Sequence, residues 1–279
     1  MDQIEVKSFI PKFITFYEKA TKQKCTKEER WNLWKEHYNF AAIPPGPDGQ
    51  TLAKELLEHA WDQYEERFDY IKNWEPEHQK VADYLSEIKS LLGCEDPIKI
   101  VIIYFVGAFE NNAFVAPYDD ERLALCLPIE NGNSDITLCH ELTHVVHIKS
   151  ANMNADWQRT IASIIIQEGL ATHVSKKLVP GKEDRVYIEH EEGWLASCRV
   201  KKSEMIHGIR PYLNDDSSET VYKFTMGTGS TNTEREAYYV GWEIVKALFV
   251  EGYTFEEIAS VKVSELPNWL HKIYPLVEA

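Results

Sequence analysis

The chain has 279 residues, 44% apolar and 27% charged, enough to bury a large core as one big domain or two small ones. Its formal net charge is −15, with no run of Lys and Arg, which argues against nucleic-acid and anionic-membrane partners. Cys25, Cys94, Cys126, Cys139 and Cys198 are odd in number and scattered, with no Cys-x-x-Cys pair. Asp2, Glu5, Lys7, Lys12, Glu18 and Lys19 interrupt the first twenty residues, so no apolar leader is expected. The longest apolar run, near 98–109, is about half a membrane span. Reduced thiols and a cytoplasmic location are the expectation.

Residues 1–95 read as a helical N-terminal subdomain. Phe9, Phe13, Phe16 and Tyr17 share a first amphipathic segment, and Trp31, Trp34, Tyr38 and Phe40 a second. Pro44, Pro45 and Pro47 break the chain over 41–49. Leu52, Leu56, Ala60, Tyr64, Phe68 and Ile71 recur at helical spacing in a long third segment. Val81, Leu85, Ile88 and Leu92 mark a fourth, stopped at Gly93. These aromatic stripes fit a packed core better than a ligand pocket.

Residues 98–106 form a short β-branched run between Pro97 and Gly107, read as a buried strand. Two further short strands are expected at 113–116 and 123–127, with turns at Asn111-Asn112 and Pro117-Tyr118-Asp119-Asp120. Helices return beyond residue 134. One is capped at Ser134 or Asp135, and another covers 155–178 before Pro180-Gly181. Helices and a loop at 214–218 are expected to fill a less readable stretch, 183–230. Gly227-Thr228-Gly229-Ser230 reads as a flexible loop near the site, 234–250 as a helix, and Ser264-Glu265-Leu266-Pro267 as the start of a last one. The fold class expected is α+β and mostly helical, with a second domain over 96–279 in which a small mixed sheet with an edge strand precedes the helix that opens near residue 135.

The chemistry concentrates at His140-Glu141-Leu142-Thr143-His144. His140 and His144 stand at i and i+4, so both imidazoles leave one helix face a turn apart. Two such nitrogens fit two corners of a zinc tetrahedron. Glu141 stands beside the metal in the position of a general base. Glu168, in Gln167-Glu168-Gly169-Leu170-Ala171, is the expected third ligand, leaving the fourth position open for water. Neighbouring residues take blander readings. His147 lies too far along the helix axis from His140 to ligate with it, so a packed or supporting role is expected. His173 reads as packing or surface, and Cys139 as a buried thiol.

The motif, with 23 residues between His144 and Glu168, resembles the gluzincin metallopeptidases, of which thermolysin is the familiar member. That resemblance implies a zincin-like core, one Zn2+ per chain, a peptide or protein substrate, and an oxyanion donor from a later helix. Tyr238 is the first candidate, Tyr239 the second and His207 a weaker third. Asn111-Asn112-Ala113-Phe114 is similar to the family's edge-strand motif, which implies that Asn112, Ala113 and Phe114 bind the substrate main chain by strand addition. Val115 stands where a Trp is usual. Over about residues 98–250 the order of features is more similar to an uncharacterised bacterial group of predicted zinc proteases, with Tyr238-Tyr239-Val240-Gly241 as its late Tyr-x-x-Gly helix. The family often places a carboxylate one turn after the Glu ligand; Thr172 stands there instead.

The reading that follows is zinc-dependent hydrolysis of peptide bonds, as an endo- or oligopeptidase, since no segment for anchoring a free substrate amine is visible. Two alternatives are kept. A di-iron carboxylate protein would use the paired Glu141-x-x-His144 and Glu204-x-x-His207, and would need four long facing helices. A non-catalytic zinc-stabilised module has no use for Glu141 and commonly closes its fourth position with Cys or His.

Overall fold

Gln3–Ser8 open the chain as strand β1, in which half-buried Ile4 and Val6 alternate with exposed Gln3 and Glu5. The sequence reading holds no strand here. A six-residue alternation is a weak local signal, and β1 is secured by pairing with a segment more than ninety residues away. The structure is a computed structural model describing residues 1–43, 48–132, 134–153, 155–156 and 158–278. The proline break at 44–47 lies outside the described residues, as does position 157 near the start of the expected 155–178 helix.

Helices α1 (Ile10–Lys22), α2 (Lys27–His37), α3 (Gly49–Lys72) and α4 (His78–Leu91) follow. Then come β2 (Lys99–Phe105), β3 (Phe114–Pro117) and β4 (Leu123–Pro128). The strands form one sheet in the order β1-β2-β4-β3, parallel between β1, β2 and β4 and antiparallel between β4 and β3. The remainder is helical: α5 (Asp135–Ser150), α6 (Ile161–Leu178), α7 (Asp184–Ile188), α8 (Trp194–Val200), α9 (Lys202–Ile209), α10 (Ser218–Thr225), α11 (Glu236–Val250), α12 (Phe255–Ala259), α13 (Leu266–Ile273) and α14 (Pro275–Glu278). The fold is therefore α+β and mostly helical, with a small mixed sheet. Among the described residues no helix is long and apolar enough to cross a membrane.

The chain groups into two compact units, residues 1–80 with 99–134 and residues 81–98 with 135–279. In the first, β2 supplies the core, with Val101, Ile103 and Phe105 packed against Ala42, Ala124 and Cys126. Side chains hold the chain as it leaves β2. The Tyr38 hydroxyl accepts from Val106 N at 2.8 Å and donates to Val106 O at 2.7 Å. The Tyr64 hydroxyl donates to Gly107 O at 2.7 Å. The fully buried Glu130 carboxylate accepts from Gly107 N at 2.8 Å and from Phe109 N at 3.2 Å. Each otherwise stranded backbone group is thus satisfied by a helix or loop side chain. This bracing leads directly into β3, which lies at the sheet edge.

In the second unit α6 is buried along its length from Ile161 to Ser175. A helix apolar on every face belongs at the centre of a bundle, and α6 packs against α5, α11, α12 and α13. It begins at Ile161, six residues later than the sequence pattern indicates. Thr160 caps it by accepting from Ser163 N, and the carbonyls of Asp215 and Leu213 take the free amides of Ile161 and Ala162 at 3.0 and 3.1 Å. That cap is assembled partly from residues fifty positions away, which no local pattern reveals.

Candidate metal centre

Leu138, Leu142, Val145 and Val146 bury α5, and the helical period then carries His140 and His144 onto one shared face. Their rings sit 4.8 Å apart, edge to face. Glu168 comes from α6 to meet them. Its Oε2 lies 3.2 Å from His140 Nε2 and 3.5 Å from His144 Nε2. Ligands held at about 2.0–2.1 Å in a tetrahedron stand roughly 3.3–3.4 Å from one another. Both distances from Glu168 Oε2 are those expected between ligands around one small cation. His140, Glu141 and His144 also form the one cluster of at least three His, Cys, Asp or Glu ligand atoms among the described residues, all within 4.8 Å. Of the two acids, Glu168 fits the ligand role better, because a single oxygen converges on both imidazoles.

Electrostatics distinguish the acids further. Burial works to raise Glu168, but the imidazoles of His144 and His140 outweigh it and hold the carboxyl well below the ordinary carboxylate range. Glu141 moves the other way: burial raises it, against the pull of His144 and His140. A carboxylate raised by burial is the kind of group that accepts and returns a proton. Burial alone would lower His140, but the Glu168 hydrogen bond and the charges of Glu141 and Glu168 raise it.

The adjacent tyrosines of α11 separate. Tyr239 is buried, its ring edge-on to Trp194 at 6.3 Å, with the Glu243 charge and the Cys198 thiol around it. Tyr238 is half-buried and lies in the field of Glu168, Arg235, Arg159 and Glu141. Burial, then the Glu168 charge, push its phenol well above the ordinary value. The turn of about 100° per helical residue sends the two rings to different sides. His207 is exposed, its Nδ1 2.7 Å from Ser203 O within its own helix. Glu204 is exposed too, so the second Glu-x-x-His faces solvent and the four facing carboxylate helices of a di-iron site are not assembled from it.

Support beyond the ligands is sparse. Thr172 donates back to Glu168 O at 2.7 Å within α6, and His144 Nδ1 has no hydrogen-bond partner. The acid commonly expected to orient a ligating imidazole is thus replaced by a helix-bound hydroxyl. His147 is fully buried without a partner at either ring nitrogen, and burial takes it down to about 3. His173 stacks on Trp242 at 4.0 Å, with Nε2 2.9 Å from Trp242 O. Cys139 is a buried free thiol, pushed up to about 12 by burial.

The loop ahead of α11 is tied down rather than loose. The fully buried Glu236 carboxylate accepts from Ser230 N and Oγ at 2.8 Å each, and from Thr231 N and Oγ1 at 2.6 Å each. Gly229 N donates to Thr233 O at 3.0 Å. In the first unit, Asn112 Nδ2 donates to Ala42 O at 2.8 Å, Ala113 N donates to Asn111 O at 3.1 Å, and Phe114 begins β3. The sequence reading missed Glu130, Arg159, Arg235 and Glu236. Arg159 and Glu130 carry no local signal, whereas the closeness of Arg235 and Glu236 to the start of α11 is a visible one.

The sequence profile of a family described as "Predicted Zn-dependent protease (DUF2268)" matches residues 120–267, more than half of the 279. No curated protein and no solved structure matches the chain.

Proposed function

The chain belongs to the family of predicted Zn-dependent proteases, and from that membership we propose that it is a zinc metallopeptidase of the gluzincin type, cleaving peptide bonds within peptide or protein substrates. The observation that carries this reading is the convergence of His140 Nε2, His144 Nε2 and Glu168 Oε2 at 3.2 and 3.5 Å, with a raised Glu141 beside them.

His140, His144 and Glu168 would hold one zinc ion, which supplies Lewis acidity to the scissile carbonyl and acidifies a water molecule. The remaining steps fall to side chains. Glu141 takes a proton from the attacking water and returns it to the departing amine. Its burial favours the first transfer by keeping its basicity above that of an exposed carboxylate. Tyr238 donates its phenolic hydrogen to the carbonyl oxygen as negative charge develops there. Its raised phenol stays protonated, and therefore a donor, across the neutral range. Tyr239 is a packing residue against Trp194 in this scheme. Asn112, Ala113 and Phe114 remain the proposed strand-addition element, resting on β3 being an edge strand. Because the Asn112 amide nitrogen is engaged by Ala42 O, its contribution would come from the main chain or the side-chain oxygen.

The test is metal analysis of the purified protein together with cleavage of a mixed peptide library by wild type and Glu141→Gln. One zinc per chain in both, with cleavage lost in the variant, is the expected result. Two irons per chain would overturn it, and zinc with no cleavage by wild type would favour a non-catalytic module.

A further inference from the structure

Two arginines stand where the helices that bring Glu168 and Tyr238 begin. Arg159 directly precedes Thr160, the cap of α6, and Arg235 directly precedes α11. Neither is consumed by the fold. Arg159 Nη1 donates to Asp156 O at 3.2 Å, and Nη2 is 3.8 Å from Glu168 Oε1. At that distance charges attract but no hydrogen bond forms. Its buried Nε has no partner. Arg235 lies over the Tyr238 ring, 5.2 Å from the centroid, and no carboxylate comes within 4.0 Å of it among the described residues. Its backbone is left-handed, φ 55° and ψ 36°, a conformation uncommon for any residue bearing a Cβ and one that gathers at functional sites.

Both cations act on Tyr238; Arg159 acts also on Glu141, and Arg235 on His140. The charge balance is then informative. Glu141 and Glu168 match the two charges of a divalent ion, so the carboxylate beside Arg159 would be shared with that ion, and Arg235 has none within 4.0 Å among the described residues. This happens in a chain of net charge −15, so the local excess is not a reflection of the bulk. Unspent guanidinium donors beside a reaction centre are suited to a planar anion, which they grip through paired N–H groups.

We propose that Arg159 and Arg235 bind a substrate carboxylate next to the scissile bond, so that the protein selects peptides carrying an Asp or Glu side chain or a free C-terminus at that place. This rests on the peptidase reading for the word substrate, but the binding itself does not require turnover.

The experiment measures Kd on zinc-loaded Glu141→Gln protein with a panel of alanine-rich hexapeptides. In one arm a single Glu, against Gln, is scanned through every position of the amidated peptide. In the other the all-neutral peptide carries a free or an amidated C-terminus. Expected is binding about tenfold tighter for at least one carboxylate peptide than for its neutral partner, weakened by salt and lost on adding Arg159→Gln or Arg235→Gln. The arm that shows the gain identifies the source of the carboxylate. Equal binding of charged and neutral peptides overturns the proposal, as does a gain that survives both arginine substitutions. Thermal melts check that the variants fold, and the wild-type cleavage pattern supplies a measurement that needs no variant. Cleavage without enrichment of acidic or C-terminal positions sinks the arginine proposal and leaves the peptidase standing. A carboxylate gain without any cleavage supports the arginine site and sinks the peptidase.

Discussion

Gly169 of α6 and Gly241 of α11 meet backbone to backbone. A Cβ on Gly169 would fall 2.2 Å from the Gly241 carbonyl oxygen, and one on Gly241 would fall 2.3 Å from the Ile165 carbonyl oxygen. Gly169 directly follows Glu168, and Gly241 lies about one helical turn after Tyr238. The Glu-Gly and Tyr-x-x-Gly motifs thus describe one contact, a helix crossing close enough to put the Tyr238 phenol in the field of the Glu168 carboxylate.

Gly241→Ala and Gly169→Ala are expected to destabilise the protein. In an open helix the same change would stabilise by about 1 kcal/mol through helix propensity. Here the added carbon meets backbone that cannot rotate away, and overpacking of this kind costs about 1–3 kcal/mol or more. Thermal melts should show each variant lower by on the order of 5 °C. A melt equal to or above wild type would mean that the helices separate without penalty.

Tyr238→Phe removes the proposed oxyanion donor while keeping the ring. Turnover should fall about 100-fold or more, with zinc content and substrate KM little changed. Tyr239→Phe should leave kcat within about twofold, because its ring faces Trp194. The reverse pattern of kcat losses would move the donor role to Tyr239.

Zinc removal should lower the melting temperature as well as the activity. A ligand that binds only the folded state stabilises it by mass action, about 4 kcal/mol at a thousandfold excess over Kd. Chelator-treated protein is therefore expected to melt earlier and to recover when zinc is restored. Glu168→Ala, which removes the oxygen shared by both imidazoles, should show no such recovery. If zinc stabilises that variant as well as wild type, the ion binds elsewhere.

His173 should make the fold acid-sensitive. Burial lowers its folded value to about 4, against about 6.5 in an unfolded chain. The unfolded state therefore takes up the proton first. The contribution is constant above pH 6.5 and is lost as pH falls toward 4, reaching about 3 kcal/mol. His173→Gln should flatten the stability curve between pH 6.5 and 4, measured by denaturant titration on chelator-treated protein. Parallel curves for the two proteins would show that the buried imidazole is protonated in the native state.

Much of this site was legible from residue order because its first part is local. The i and i+4 spacing of His140 and His144 sets their separation by helix geometry alone. The buried aromatics of α1 to α3 and the strand β2 were legible for the same reason: their periods report which face is covered. Where the sequence reading departed from the structure, a distant partner had intervened. β1 exists through its pairing with β2, and α6 starts at Ile161 because Asp215 and Leu213 offer carbonyls there.

Residue order alone names the candidate ligands, the candidate base beside them and the helices that bear them, since each depends on chemistry and on neighbours a few residues apart. The tertiary structure alone decided which tyrosine of α11 shares the field of Glu168. That depends on the rotation of one helix against another, set where Gly169 and Gly241 touch. It alone also drew Arg159 and Arg235 to the same phenol. Seventy-five positions of chain separate these two residues, and the packing of α6 against α11 lets the charges of both act on Tyr238.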